Sequence, residues 1–188
     1  MTEENIVLYK AVPEDLESLV SLCSAVVREL PQCGWTEHYP DRALLKEDLA
    51  SGHLWKVLRE GQIVSLSKIS PYEEWAEGED EMDTKHLVRS LKKPCVMGRF
   101  CVLPALGGHG FGRRVIAAAF KKAESLGYDG VFFEAVSGNA IARHLYGKLG
   151  FPVTGELDAY GLHFLTYEVP FARWDEEKAL QKQERNEA

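Results

Sequence analysis

The stretch Leu106 to Arg114, LGGHGFGRR, sets four glycines, Gly107, Gly108, Gly110 and Gly112, ahead of an apolar run with helical spacing. Glycine lets backbone amides turn toward a ligand with no side chain in the way, and the first turn of a helix leaves N–H groups unpaired. Together they suit an anionic phosphate. Some twenty to thirty residues on, FFEAVSGNAIARHLYGKLGF adds a carboxylate, Glu134, an amide, Asn139, and a phenol, Tyr146. A carboxylate can take a proton and a phenol can give one, so the two segments together pair an anion cradle with proton-transfer groups.

Two phosphate-binding patterns fail on spacing. A Walker loop needs G-x4-G-K-[ST]; Gly107 and Gly112 have the separation, but Arg113 and Arg114 stand where the lysine and the magnesium-holding hydroxyl belong, which argues against an NTPase. A dinucleotide fingerprint from Gly108 and Gly110 would require glycine at Arg113, and its strand would lie late in the chain.

A third pattern fits. Gly110-Phe111-Gly112 matches the second half of the Q/R-x-x-G-x-G/A pyrophosphate loop of the GNAT N-acetyltransferases, although Gly107 occupies the glutamine or arginine position. The downstream segment resembles the family's L-E-V-x-x-x-N-x-x-A-x-x-L-Y-x-k-x-G-F, with Glu134, Asn139, Ala142, Leu145, Tyr146, Gly150 and Phe151 in matching places. The resemblance runs from Val96 to Phe151. It implies an α/β (α+β) single-domain fold, a mixed, strongly bent sheet with helices on both faces, whose two central strands splay apart to admit the pantetheine arm of acetyl-CoA. It implies an acetyl-CoA-dependent N-acetyltransferase that moves acetyl to a primary amine, in a small molecule or a peptide, by direct attack. The cofactor-binding set it implies is Val102, Leu103, Gly108, His109, Gly110, Phe111, Gly112, Arg113, Asn139 and Tyr146. The alternative is a catalytically inactive acyl-CoA-binding sensor or interaction module.

That chemistry sets requirements. An alkylamine with a pKa near 10.4 is mostly protonated at neutral pH, and deprotonating it costs about 4–5 kcal/mol. Within VFFEAV, alternation puts Val131, Phe133 and Ala135 on one face and Phe132, Glu134 and Val136 on the other, so burial would raise the Glu134 pKa toward a useful value. Glu134 is the candidate base; its other reading is a carboxylate paired with a cation. Tyr146 matches the family's usual acid for the departing thiolate; its other reading is a core aromatic. Asn139 can cap a helix while bonding pantetheine. A backbone N–H at Val102 or Leu103 can polarise the thioester carbonyl, and Arg113 and Arg114 can neutralise phosphates. Cys101 would need a paired histidine for an acyl-cysteine route, and His38, His53, His86, His144 and His163 form no constellation. For the acceptor, the family's usual elements point to Trp35, Tyr39, Tyr72, Trp75, Tyr160 and His163. The acidic run Glu73 to Asp83 could attract a cationic amine or be a solvated loop.

The elements that must position these groups are legible. Leu16, Leu19, Val20, Cys23, Val26, Val27 and Leu30 recur at helical spacing behind Pro13, and PDRALLKEDLASG fits a helix capped by Asp41, with Leu44, Leu45 and Leu49 inward and stopped by Gly52. Strands are predicted over 54–59 and 62–69 around the turn Glu60-Gly61, and over 96–102 and 131–136. Helices are predicted over 113–126 and 140–149, the latter capped by Asn139 and Gly150, with a closing hairpin that includes 162–169.

Composition bounds the rest. The chain has 188 residues, 45% hydrophobic and 27% charged, enough for one good core, so a domain over 1–170 with an acidic insertion at 71–94 and a charged tail at 171–188 is expected. No apolar run approaches a bilayer span, and MTEENIVLYK lacks a signal peptide's basic end, so a cytoplasmic protein with no membrane partner is expected. Cys23, Cys33, Cys95 and Cys101 show no metal-ligand spacing and read as reduced thiols; no metal is expected. A net charge of -7 argues against a nucleic-acid partner. The resemblance also implies a possible homodimer.

Overall fold

The computed structural model describes residues 6–79 and 83–174. Asp80 and Glu81 of the acidic run, and positions 175–188 of the charged tail, lie outside the described residues. In chain order the elements are β1 (Leu8–Lys10), α1 (Leu16–Glu29), α2 (Arg42–Ser51), β2 (Leu54–Arg59), β3 (Gln62–Pro71), α3 (Tyr72–Glu77), β4 (Pro94–Val102), α4 (Phe111–Ser125), β5 (Gly130–Val136), α5 (Ala140–Leu149), β6 (Val153–Ala159) and β7 (Leu162–Pro170).

Local chemistry accounts for most boundaries. Pro13 opens a single 3-10 turn that leads into α1, and the Asp15 carboxylate accepts from the Val12 amide at 2.8 Å. Asp41 caps α2 by accepting from Leu44 at 2.8 Å, and Gly52 ends it in the left-handed region. Glu60-Gly61 and Tyr160-Gly161 both have positive φ at each position, the conformation of the two-residue hairpin turn whose twist matches its strands.

The strands form one seven-stranded sheet in the order β1-β2-β3-β4-β5-β7-β6. Every neighbouring pair is antiparallel except β4 and β5. That parallel pair holds together only at Pro94 opposite Gly130, Cys95 opposite Val131 and Val96 opposite Phe132. Beyond this point β4 continues to Val102 and β5 to Val136 without pairing with each other, while β4 stays paired with β3 and β5 with β7. The sheet is therefore split through its middle at the C-terminal ends of two strands.

Apolar packing on the two faces holds the split sheet. α4 and α5 bury Phe111, Val115, Ile116, Ala119, Phe120, Tyr146 and Leu149 with Phe133, Ala135 and Tyr167 on one face. α1 and α2 bury Leu19, Leu22, Val26, Leu45 and Leu49 with Leu54, Ile63 and Leu66 on the other. Strand β3 feeds both cores and is buried at nearly every position, with Ser65, Ser67 and Ser70 buried among its apolar residues. Phe171 and Trp174 pack on the first core, with Trp174 5.1 Å from the Phe120 ring and 5.3 Å from Phe151. Among the described residues no helix is long and apolar enough to cross a membrane.

The region expected as an insertion is tied down. Its α3 sets Tyr72 and Trp75 against Phe132, ring centroids 5.5 and 5.4 Å away. Asp129 accepts from the Lys92 and Lys93 amides, and Glu168 accepts from those of Arg89 and Ser90. These carboxylates satisfy amides of a loop that has no ladder of its own.

Candidate active site

The split exposes a row of backbone groups. The Leu103 amide donates to Val64 of β3 at 2.8 Å, so the expectation that this N–H is open to a ligand is corrected. Strand alternation then turns the Val102 N–H the other way, toward the edge that β5 has vacated.

Below it lies the glycine loop. A 3-10 turn over Pro104–Leu106 is closed by the Gly107 amide on the Pro104 carbonyl, 2.9 Å. Gly108 and Gly110 then take φ of 83° and 70°, and Gly110 caps α4 without a side chain. The helix starts at Phe111, ahead of the expected Arg113, because Gly112 belongs to its first turn. A Cβ at Gly112 would sit 3.5 Å from the Leu145 Cδ2 of α5, ordinary contact distance, so the packing of the two helices leaves room for a methyl group there. The Arg114 amide closes the first turn on Gly110 at 3.2 Å, leaving those of Phe111, Gly112 and Arg113 ahead of it at the helix start. His109 is exposed at the loop's tip. Arg113 is only 4% exposed, and burial lowers its pKa, so it does not stand at the surface as a phosphate clamp would; Arg114 lies over the Phe111 ring, 5.6 Å from its centroid.

Asn139 caps α5: its Oδ1 accepts from Ala142 at 3.0 Å. That leaves its side-chain N–H2 uncommitted by the cap. One turn past Ala142, Tyr146 is 5% exposed, its ring edge-on to Phe133 at 4.8 Å and to Tyr167 at 5.1 Å. Burial, then Tyr167 and Glu134, push its hydroxyl above the ordinary phenol range.

Glu134 projects from the other face of β5, as alternation requires, alongside Phe132. Its Oε2 is shut off from solvent with no hydrogen-bond partner among the described residues. Burial, helped by the Glu79 carboxylate and opposed by Arg99, raises its pKa to about 7. Glu134 and Tyr146 thus occupy opposite faces of the same strand, beside the gap that joins those faces.

Four further residues belong here that spacing did not single out together. Asp48 of α2 is buried and accepts from Lys68 Nζ at 2.6 Å and Arg99 Nε at 3.0 Å. Arg99 Nη1 donates to the Tyr39 hydroxyl at 2.5 Å, and its guanidinium lies 5.0 Å from the centre of the Tyr39 ring. Asp48 could have been found, three residues after Leu45 on the inward stripe of α2. Of the acceptor candidates, Tyr39, Tyr72 and Trp75 line this side, and Tyr160 donates a short hydrogen bond to Glu79. Burial, with Glu134 and other carboxylates, pushes the Tyr72 hydroxyl to about 12. Trp35 packs against the α1–α2 core. His163 pairs instead with Asp158 across the β6–β7 hairpin at 2.8 Å. Cys101 is buried beside Cys23, which with burial raises its thiol pKa.

A parallel strand pair parted at its C-terminal ends, with a glycine cap on the helix that follows β4, lies within the residues that an acetyltransferase family model matches, which makes the protein an acyltransferase. The sequence model of the acetyltransferase (GNAT) family matches residues 20–151, and the chain belongs to that family. No curated protein matches it in sequence. Among solved structures, a GNAT-family acetyltransferase from Streptococcus agalactiae superposes with a TM-score of 0.69 at 15% identity, covering 88% of this chain and 95% of that one. The PaiA N-acetyltransferase of Thermoplasma acidophilum, in complex with coenzyme A, gives 0.63 at 13% identity over 87% and 98% of the two chains. The ribosomal-protein-alanine N-acetyltransferase of Brucella melitensis gives 0.61 at 21% identity over 87% and 99%.

Proposed function

We propose that the protein is an acetyl-CoA-dependent N-acetyltransferase acting on a primary amine by direct attack. The observation that carries the reading is the placement of Glu134 and Tyr146 on opposite faces of β5, where β4 and β5 have parted. A thioester lying in that gap would have an acceptor approaching from the Glu134 side and a phenol on the other.

The residues present fit coenzyme A. A Cβ at Gly108 would meet nothing within 4 Å, so the loop leaves open space over its amides. Gly108, His109, Gly110, Phe111, Gly112 and Arg113 would hold the pyrophosphate through backbone N–H groups, with the helix start adding its partial positive charge. The Asn139 amide and the Val102 and Leu103 backbone would border the pantetheine and the thioester. Acetyl-CoA, when bound, supplies an activated acetyl group.

The protein's own groups would do the rest. Glu134, with a pKa near 7, is ionised in a useful fraction at neutral pH and takes the ammonium proton of the acceptor. The Val102 N–H stabilises charge gathering on the carbonyl oxygen. Tyr146, held neutral by its raised pKa, donates to the departing sulfur.

The reading is tested by thermal denaturation and by thiol release. Acetyl-CoA should raise the Tm while ATP with magnesium should not, and an amine panel should yield free thiol. Stabilisation by acetyl-CoA with no thiol released by any amine would leave an acyl-CoA-binding module in its place.

A further inference from the structure

The acceptor side of the gap carries both signs of charge. Glu134 and the Tyr160-linked Glu79 act on one another electrostatically, and Arg99 acts on Glu134 from β4. On the far side of Arg99 a single buried carboxylate, Asp48, is shared by two cations, Lys68 and Arg99. One positive charge of that trio is therefore uncancelled within it. Arg99 is also held in an unusual way. It has φ of 50° where β4 bulges opposite the Leu66 to Lys68 stretch of β3, a conformation that costs a non-glycine residue energy and recurs at ligand-binding positions.

The guanidinium is braced on two of its nitrogens and open on the third. Nε is spent on Asp48 and Nη1 on Tyr39, whose ring lies against the guanidinium. Nη2 makes no hydrogen bond among the described residues and is not sealed from solvent, while the side chain as a whole is 17% exposed. A guanidinium fixed in this way offers its remaining Nη2 N–H groups to a carboxylate as charge-assisted donors.

We propose that the acceptor carries a carboxylate as well as its amine, and that Arg99 binds that carboxylate while the amine faces Glu134. The inference rests on the acetyltransferase reading and narrows its substrate class to amino acids and related amino carboxylates. A diamine would set its second cation against Arg99. An acceptor with both charges matches both Glu134 and Arg99. Asp48 and Tyr39 are positioning residues in this scheme, since they fix the plane of the guanidinium.

The experiment uses matched sets on the full chain: leucine, leucinamide and isoamylamine; phenylalanine, phenylalaninamide and phenethylamine; 4-aminobutyrate and butylamine. Calorimetry first measures CoA binding, then binding of each compound to the CoA-saturated protein, and thiol release from acetyl-CoA gives kcat/KM. At least one acid should exceed its uncharged-end partner by about tenfold or more, the worth of a charge-assisted hydrogen bond. Arg99→Gln should bring that ratio to near unity, and Arg99→Lys should restore part of it. Glu79→Gln, which leaves the guanidinium in place, should retain the acid preference. Amides or plain amines that bind and react as well as the acids would overturn the proposal even if Arg99→Gln fails to fold. So would an acid preference that survives Arg99→Gln in a variant whose CoA affinity is intact. Failure of the protein to bind CoA would instead overturn the acetyltransferase reading itself.

Discussion

The Tyr146 ring meets Phe133 edge to face at 4.8 Å, and Phe133 in turn stacks on Tyr167 at 4.9 Å with planes only 9° apart. The phenol is thus fixed by its ring rather than by its hydroxyl, which makes no hydrogen bond to any described residue. Tyr146→Phe keeps the packing and removes only the proton. We expect kcat to fall about 100-fold or more, in the range for loss of a general acid. Tm and CoA affinity should change little. Unchanged turnover would remove Tyr146 from the acid role.

Glu134 gives a pH profile with a definite sign. Its pKa is raised to about 7, and the ionised form is the base, so kcat/KM should climb through that pH and at pH 6 lie about tenfold below its plateau. Glu134→Gln should be slow and lack this limb. Stability should move the opposite way. A carboxylate whose folded pKa exceeds its unfolded one costs stability as pH rises from about 4.5 to above 7. Glu134→Gln should therefore melt higher than the wild type at pH 8 and closer to it at pH 5. A flat profile in the wild type, or no gain at pH 8, would count against a buried base.

Local chemistry made much of this legible. The helix over 140–149 begins and ends where Asn139 and Gly150 predict, because both signals act within one turn. The face assignment of Glu134 followed from strand alternation alone. The split between β4 and β5 was available only through resemblance, since pairing is a relation between segments far apart in sequence. The Lys68–Asp48–Arg99–Tyr39 network was invisible for the same reason: its members come from β3, α2, β4 and a loop. The start of α4 was misplaced because glycine lowers helix propensity, yet Gly112 lies in its first turn behind the left-handed cap Gly110. The acidic run Glu73 to Asp83 reads as a solvated loop or a lure for a cationic amine, and the residues that follow it are moored by Glu168 and Asp129, partners far away in sequence.

Glu168 is 7% exposed and receives the Ser90 amide at 2.7 Å, the Ser90 hydroxyl at 2.5 Å and the Arg89 amide at 3.0 Å. Burial alone would raise its pKa, but these bonds, with one from the Leu91 amide, hold it below the ordinary carboxylate range. A folded pKa below the unfolded one contributes stability above about 4.5 that is lost as pH falls through the folded value. Glu168→Ala removes the shared acceptor of these part-buried hydrogen bonds and should cost about 1–2 kcal/mol in urea unfolding at pH 7. The difference from wild type should shrink at pH 3. Equal stability at pH 7 would mean that the loop is anchored elsewhere.

Gly108 separates a structural glycine from one that makes room for a ligand. Its φ of 83° strains any other residue, yet a Cβ there would touch nothing in the protein itself. Gly108→Ala should therefore cost only about 1 kcal/mol of stability, the left-handed penalty. If pyrophosphate lies on the amides of this loop, the added methyl meets the ligand rather than the protein. CoA affinity should then fall about tenfold or more, equivalent to about 1.4 kcal/mol, in a variant that is still fully folded at the assay temperature. Dephospho-CoA, which keeps the pyrophosphate, should lose as much, whereas pantetheine, which lacks it, should bind both proteins alike. An unaltered CoA affinity, or an equal loss for pantetheine, would move the pyrophosphate away from Gly108.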